Sequence, residues 1–346
     1  MTGPVGTVTR RHPPAAVPGE MPARMLAEEP RPPRVVALGG GHGLAASLAA
    51  LRRVTPELTA VVTVADDGGS SGRLRREFGC LPPGDLRMAL AALCGDDDWG
   101  QLWSEVSQHR FSGTGPLQGH AVGNLLIVAL WQLLGDTVEG LDHVGRLLGA
   151  QGRVLPMATE PMDIAAEVLH DGETEPRQVR GQVEVATTRG RVVGVRLDPA
   201  DPTACPQAVG AVLAADWVVL GPGSWFTSVL PHVLVPGLRE ALVSTPARVL
   251  VNLNLAPQPG ETAGFAPEQH LEVLAAHAPD LTLDIVLADT GAVPDPDLLR
   301  SVASTFGAQV VLADVAARDG VARHDPHRLA TAYAGVMSRG RIPPWR

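Results

Sequence analysis

The sequence predicts an α/β protein built on an open sheet, with a small antiparallel β insertion. Three observations carry this reading. Short apolar runs rich in β-branched residues, at Val35–Leu38, Thr59–Val64 and Trp217–Leu220, each lead through glycines or acids into a helical pattern. Two of those junctions, Gly39–Gly43 and Gly221–Ser224, are glycine-rich loops at a helix start. Between about 160 and 200 the rhythm changes to short alternating runs with turns at Gly172 and Gly190, as antiparallel strands require.

Residues 1–33 are rich in Pro, Gly and Ala and lack apolar periodicity, so a disordered tail is expected there. A single α/β domain is expected over 34–340. Val35–Leu38 reads as a buried strand and is followed by Gly39-Gly40-Gly41-His42-Gly43 and an Ala/Leu helix to about Arg53. This layout exposes amides at a helix N-terminus and suits a phosphate, although it matches neither the full dinucleotide fingerprint nor a Walker loop. His42 either touches such a phosphate or occupies the turn.

The stretch Val61–Arg75 is the centre of the chain. Its strand stops at Asp66 and Asp67, and Gly68, Gly69 and Gly72 follow. Ligands of open α/β sheets bind beyond the carboxyl ends of the strands. Two acids at such an end suit Mg²⁺ or a ligand hydroxyl, and an Asp-Gly turn is the plainer alternative. Asp85 reads as the cap of a helix running through Arg87, Leu90 and Leu93. Asp96–Asp98 reads as a solvated loop, and Trp99–Arg110 as an amphipathic helix. His120 and Asn124, each beside a glycine ahead of the apolar helix Leu125–Leu134, read first as a capping device.

A helix over Val138–Leu148 precedes a strand-like Val154–Pro156. The alternating runs are Ile164–Leu169, Val179–Ala186 and Val192–Leu197. After a helix near Ala208, Trp217–Leu220 ends in Gly221-Pro222-Gly223-Ser224, with Thr227 and Ser228 beyond. Hydroxyls beside free amides suit a diphosphate, and they equally suit ordinary helix capping. Strands follow at Arg248–Val251, Leu283–Leu287 and Gln309–Leu312. Asn254, Gln258, Glu261 and Thr262 form a polar loop, Pro267–His277 a helix, and Asp325 the cap of a last helix over Leu329–Val336.

Composition narrows the function. With 45% hydrophobic and 19% charged residues, the 346-residue chain is of globular type. Its net charge of −9, without a basic cluster, argues against nucleic acid, and 3% aromatics leave no stacking platform for single strands. The sequence contains no lysine, which removes Schiff-base chemistry and the P-loop lysine. Cys80, Cys94 and Cys205 are too scattered for a metal motif or disulfide framework, and a cytoplasmic location is expected. No apolar run has membrane length, and the N-terminus lacks the apolar core of a signal peptide. A homodimer is the default assembly.

Seven signatures occur in one order: GGGHG at 39–43, VTVADDGGSSGRLR at 62–75, PPGDLR at 82–87, GHAVGNLL at 119–126, GPGSWFTSVLP at 221–231, QPGET at 258–262 and HDPHRLA at 324–330. Together they resemble the bacterial gluconeogenesis and morphogenesis factor family (YvcK-like), in the superfamily of 2-phospho-L-lactate transferases (CofD-like). The resemblance covers roughly 34–340. It implies a doubly wound, Rossmann-like, mostly parallel sheet with a nucleotide pocket above it. For the morphogenesis branch it implies binding of UDP-sugars, support of cell-wall growth and cell shape on gluconeogenic carbon sources, and work alongside cell-envelope machinery. For the transferases it implies moving a phospholactyl group from a guanosine diphosphate donor to a deazaflavin hydroxyl, with Mg²⁺.

By the same resemblance, Gly39, Gly40, Gly41, His42 and Gly43 lie beside the ligand's phosphates or sugar. Gly221, Gly223, Ser224 and Thr227 cradle a diphosphate, and Asp85 and Asn124 line the same cleft. Asp66 and Asp67 hold Mg²⁺ or a hydroxyl, and are the catalytic acids if transfer occurs. His42 stands where the family commonly has Thr, and Pro257 replaces a Thr before QPGET. The run GGSSGRLR after the acids looks like the morphogenesis branch.

Overall fold

The computed structural model describes residue 3, residues 31–170 and residues 172–339. The tail expected over 1–33 therefore lies outside the described residues, apart from 3 and 31–33. Ten strands are present among the described residues: β1 Val35–Gly39, β2 Leu58–Val62, β3 Arg153–Pro156, β4 Asp163–Leu169, β5 Arg177–Arg180, β6 Arg191–Asp198, β7 Trp217–Leu220, β8 Arg248–Asn252, β9 Ile285–Asp289 and β10 Gln309–Ala313.

Seven strands form one sheet in the order β10-β9-β8-β7-β1-β2-β3, and every pairing in it is parallel. β4, β5 and β6 form a separate antiparallel sheet in the order β5-β4-β6. The fold is thus α/β and Rossmann-like, with a small antiparallel sheet between β3 and β7. β1, β7 and β9 are buried along their whole length, because helices cover both faces. β6 alternates exposed and buried residues, as a strand covered on one face does.

From β1 the chain winds outward to β2 and β3, and later outward the other way through β7, β8, β9 and β10. Right-handed crossovers in opposite directions place the connecting helices on opposite faces. Helix Gly41–Leu51 packs against helices Gly84–Ala92 and Pro326–Arg339 on one side. Helix Pro206–Ala214 packs on Pro236–Ser244, and Pro267–His277 on Pro296–Ser304. The reversal of strand order falls between β1 and β7, where the crevice of a doubly wound sheet opens.

Four sequence expectations change in the structure. The run Val179–Ala186 is not one strand: β5 ends at Arg180, Gly181 turns at φ +101°, and Gln182–Thr187 is a helix. Asp85 is not a cap, since Pro83 holds that position and Asp85 lies inside the first turn of Gly84–Ala92. Asp96–Asp98 is more than a solvated loop: Asp97 accepts from the Gly100 amide to cap helix Asp98–Gln108, and Asp96 pairs with Arg52 and Arg53. His120 and Asn124 do not cap: Ala121 occupies the N-cap of helix Val122–Leu134 without a side-chain bond. Asp325 does cap its helix, accepting from the amides of His327 and Arg328.

Candidate functional site

A cleft of about 320 Å³ opens over the carboxyl ends of β1 and β7. Gly40–Gly43, Asp85 and Gln182 line one part of it, Pro222–Ser224 and Ser228 another, and Asn254–Ala256, Gln258 and Ala322–His324 the rest. Its size falls at the lower end of small-molecule sites.

The first wall follows from glycine chemistry. β1 ends at Gly39, and Gly40 is the extended N-cap of helix Gly41–Leu51. Gly41 has φ +57°, a conformation L side chains rarely adopt. Gly43 meets the second loop face on: a Cβ there would lie 2.3 Å from the Pro222 carbonyl oxygen and 2.5 Å from the Gly223 Cα. The two glycine loops are therefore packed into one surface. The N-terminal turn of an eleven-residue helix opens onto it, with the partial positive charge that favours anions.

The second loop is held from behind. The Asn254 amide clamps Gly223 on both sides, its Oδ1 accepting from the Gly223 N–H at 2.9 Å and its Nδ2 donating to the Gly223 carbonyl at 2.8 Å. Beyond it Trp225–Val229 forms a single π-helical turn, a feature often found at functional sites. The buried Glu261 carboxylate occupies this turn. It accepts from the Phe226 amide at 3.0 Å and the Thr227 hydroxyl at 2.5 Å. Burial raises its pKa, and these bonds oppose the rise. Thr227 is thus buried against Glu261, while Ser224 lines the cleft.

Asp85 stands at the other edge, and Asp66 is its charged neighbour outside the cleft lining. Asp85 projects from its helix onto the first glycine loop, so that a Cβ on Gly40 would come within 2.6 Å of Asp85 Oδ2. Asp85 also accepts from the Gly41 amide. Burial, then the neighbouring Asp66 charge, push its pKa up to about 7. Asp66 accepts from the Gly68 amide at 2.9 Å, and its pKa is raised chiefly by burial. Among the described residues neither acid is in an ion pair. Asp67 faces elsewhere: it accepts from the Val183 amide at 3.1 Å and so anchors the helix of the insertion. That helix sends Gln182 to the cleft.

Of the residues singled out by sequence, Gly40, Gly41, His42, Gly43, Asp85, Gly223 and Ser224 share the cleft surface. Gly39 closes β1 beneath it, and Gly221 carries the turn out of β7 at φ +73°. Asn124 is buried away from the cleft lining. It accepts from Arg87 Nε at 2.9 Å and donates to Ser70 Oγ at 3.0 Å, and Ser70 in turn meets His120 Nδ1 at 3.0 Å. This network fixes the start of helix Gly69–Phe78 just after the two acids. Gln182, Arg323 and His324 join the cleft without having been singled out as site residues. The HDPHRLA signature was the available signal for the last of these.

The geometry first defines a class: a doubly wound α/β protein with a polar cleft at its switch point, flanked by two glycine loops. The family model for 2-phospho-L-lactate transferase CofD matches residues 35–325, and the chain belongs to that family. A Mycobacterium leprae relative, named as a gluconeogenesis factor, is 56% identical over 311 residues, covering 88% of this chain and 86% of the relative. The Bacillus subtilis gluconeogenesis factor is 34% identical over 319 residues, covering 88% and 98%. A crystal structure of a UPF0052-family protein from Bacillus halodurans superposes with a TM-score of 0.77 at 32% identity, covering 88% of this chain and 99% of that one.

Proposed function

We propose that the cleft binds a nucleoside diphosphate carrying a sugar, a UDP-sugar in the first instance, and that the protein is a cytoplasmic regulator linking nucleotide-sugar supply to cell shape and cell-wall growth on gluconeogenic carbon sources. The observation that carries this is the fused pair of glycine loops at the β1/β7 switch point, with a helix N-terminus opening between them. A diphosphate matches that surface in charge and in its need for close backbone approach. The relatives named as gluconeogenesis factors support the physiological part.

Mg²⁺ fits the donor set present. No group of three or more His, Cys, Asp or Glu side chains among the described residues is arranged to hold a metal alone. Mg²⁺ takes one or two carboxylates and completes its shell with water and ligand phosphates. Asp85, on the cleft lining, and Asp66 next to it are two hard oxygen donors that are in no ion pair among the described residues. They would hold the ion, which would neutralise phosphate charge. Asp67 is the less suitable donor, since its carboxylate already serves the Val183 amide.

A second reading, transfer of a phospholactyl group from a guanosine diphosphate donor to a deazaflavin hydroxyl, rests on the same carboxyl pair. The raised pKa of Asp85 suits a group that takes up the acceptor's proton. Calorimetric titration with UDP-N-acetylglucosamine and with GDP, each with and without Mg²⁺, separates the two. Tight UDP-sugar binding with weak GDP binding supports the regulator. Tight, Mg²⁺-dependent GDP binding without a UDP-sugar signal overturns it and directs the assay to phospholactyl transfer.

A further inference from the structure

Three polar side chains meet in the core. Tyr333, Ser47 and Asn252 are each fully buried. The Tyr333 hydroxyl lies 2.8 Å from Ser47 Oγ, within hydrogen-bond distance, and accepts from Asn252 Nδ2 at 3.0 Å. The elements that carry Ser47 and Asn252 are otherwise apolar on their buried faces, with Leu44, Leu48 and Leu51 on the helix and Val249, Leu250 and Val251 on the strand. Phenylalanine fills nearly the same space with no hydroxyl to desolvate, so packing alone gives no reason for a phenol at this place.

Each member of the cluster leads to a different part of the cleft. Ser47 is on helix Gly41–Leu51, whose first turn belongs to the first glycine loop. Asn252 ends β8, and the chain runs on into Asn254, the clamp on Gly223, and into Leu255 and Ala256 of the lining. The Asn252 carbonyl oxygen also backs the second loop, since a Cβ on Gly221 would stand 3.0 Å from it. Tyr333 is on helix Pro326–Arg339, which follows the lining residues Ala322–His324 and packs against helix Gly41–Leu51. One hydroxyl therefore joins three segments that each supply a stretch of the cleft wall. We propose that Tyr333 is a positioning residue, whose hydroxyl holds helix Gly41–Leu51 and the end of β8 at the spacing in which the two glycine loops form one diphosphate surface. This rests on the nucleotide reading above and adds to it what keeps the loops in register. Where the tie is cut, part of the population has the loops out of register, and the apparent affinity falls by that fraction.

Four full-length chains make the test: wild type, Tyr333→Phe, Ser47→Ala and the double variant. Tyr333→Phe keeps the ring and deletes both bonds, whereas Ser47→Ala cuts the tie on the helix side alone. Each chain is titrated calorimetrically with UDP-N-acetylglucosamine and with GDP, both in the presence of Mg²⁺, and is melted without ligand to confirm folding. Each single variant is expected to bind about fivefold more weakly than wild type, for whichever diphosphate wild type binds. The double variant is expected to lose little beyond Tyr333→Phe, because both changes break one unit. A hydroxyl that serves the core alone lowers the melting temperature and leaves the affinity of the folded protein where it was. Wild-type affinity in either folded single variant therefore overturns the inference while the nucleotide reading stands, and so do losses that multiply in the double variant. If Tyr333→Phe does not fold, Ser47→Ala decides: weaker binding supports the inference, and unchanged binding overturns it. If wild type binds neither diphosphate, the nucleotide reading falls and takes the inference with it.

Discussion

Replacing Asp85 with Asn stabilises the protein at alkaline pH in buffer free of divalent cations. The side chain is buried against the Gly40–Gly41 loop with Asp66 as its charged neighbour, and its pKa is about 7 in place of 3.8. Between these values the folded carboxyl keeps a proton that the unfolded chain has released. The folded state then binds more protons, so stability falls as pH rises through this window. Below pH 4 both states are protonated and the residue is neutral in its effect. Above pH 7 the full cost is present, about 4 kcal/mol at 1.36 kcal/mol for each tenfold change in proton affinity. This is an upper figure, because Asp66 shares the titration. His232 and His324, both held at about 4 by burial, act in the opposite direction and lose stability as pH falls below 6.5. They are common to both chains and cancel in the difference. Urea unfolding of wild type and Asp85→Asn at pH 5 and pH 8 measures it. The advantage of the variant is expected to grow by about 2–3 kcal/mol between the two pH values. An advantage that is flat with pH, or that grows toward acid, refutes the placement of Asp85 as a carboxyl whose charge is disfavoured by burial and by Asp66.

Gly43→Ala places a Cβ 2.3 Å from the Pro222 carbonyl oxygen, so one loop must shift; a loss of about 2–3 kcal/mol is expected in thermal unfolding, with nucleotide binding weakened at least tenfold, and unchanged values of both would show that the loops do not form one surface. Glu261→Ala strands the Phe226 amide and Thr227 hydroxyl in a buried turn; urea unfolding should show a loss of about 2–4 kcal/mol, and Glu261→Gln a smaller one. Asp67→Ala removes the acceptor from the Val183 amide; faster hydrogen exchange is expected over Gln182–Thr187, equivalent to about 1 kcal/mol locally, and unaltered exchange there would separate Asp67 from the insertion.

The sheet was readable from sequence because strands covered on both faces are apolar throughout. Val35–Leu38, Trp217–Leu220 and Arg248–Val251 need no partner to be recognised. The glycine loops were readable for a related reason, since their backbone requirement is local. Roles that depend on distant partners were not. Nothing near Asp67 announces that its acceptor role is to an amide 116 residues away. Glu261 looks like one more polar loop residue until the turn at Phe226 folds onto it. Asp85 sits where a cap is expected, and only the approach of the Gly40–Gly41 loop shows that its carboxyl belongs to the cleft. Asn124 precedes an apolar helix, as many caps do, but Arg87 and Ser70 claim it. Helix Gln182–Thr187 resembles a strand in sequence because its apolar spacing also fits a short alternation, and the break depends on the positive φ of Gly181.

The antiparallel insertion keeps its hydrogen-bond ladder to itself: β4 pairs with β5 and β6, and no strand of the parallel sheet takes part. It meets the cleft through a few backbone-level contacts, the Val183 amide on Asp67 and the close approach of Ala186 to Gly260. Rewriting the outer residues of this flap alters the Gln182 side of the cleft without disturbing the strands that carry the glycine loops. What borders the cleft at Gln182 can therefore change while the paired glycine loops stay as they are.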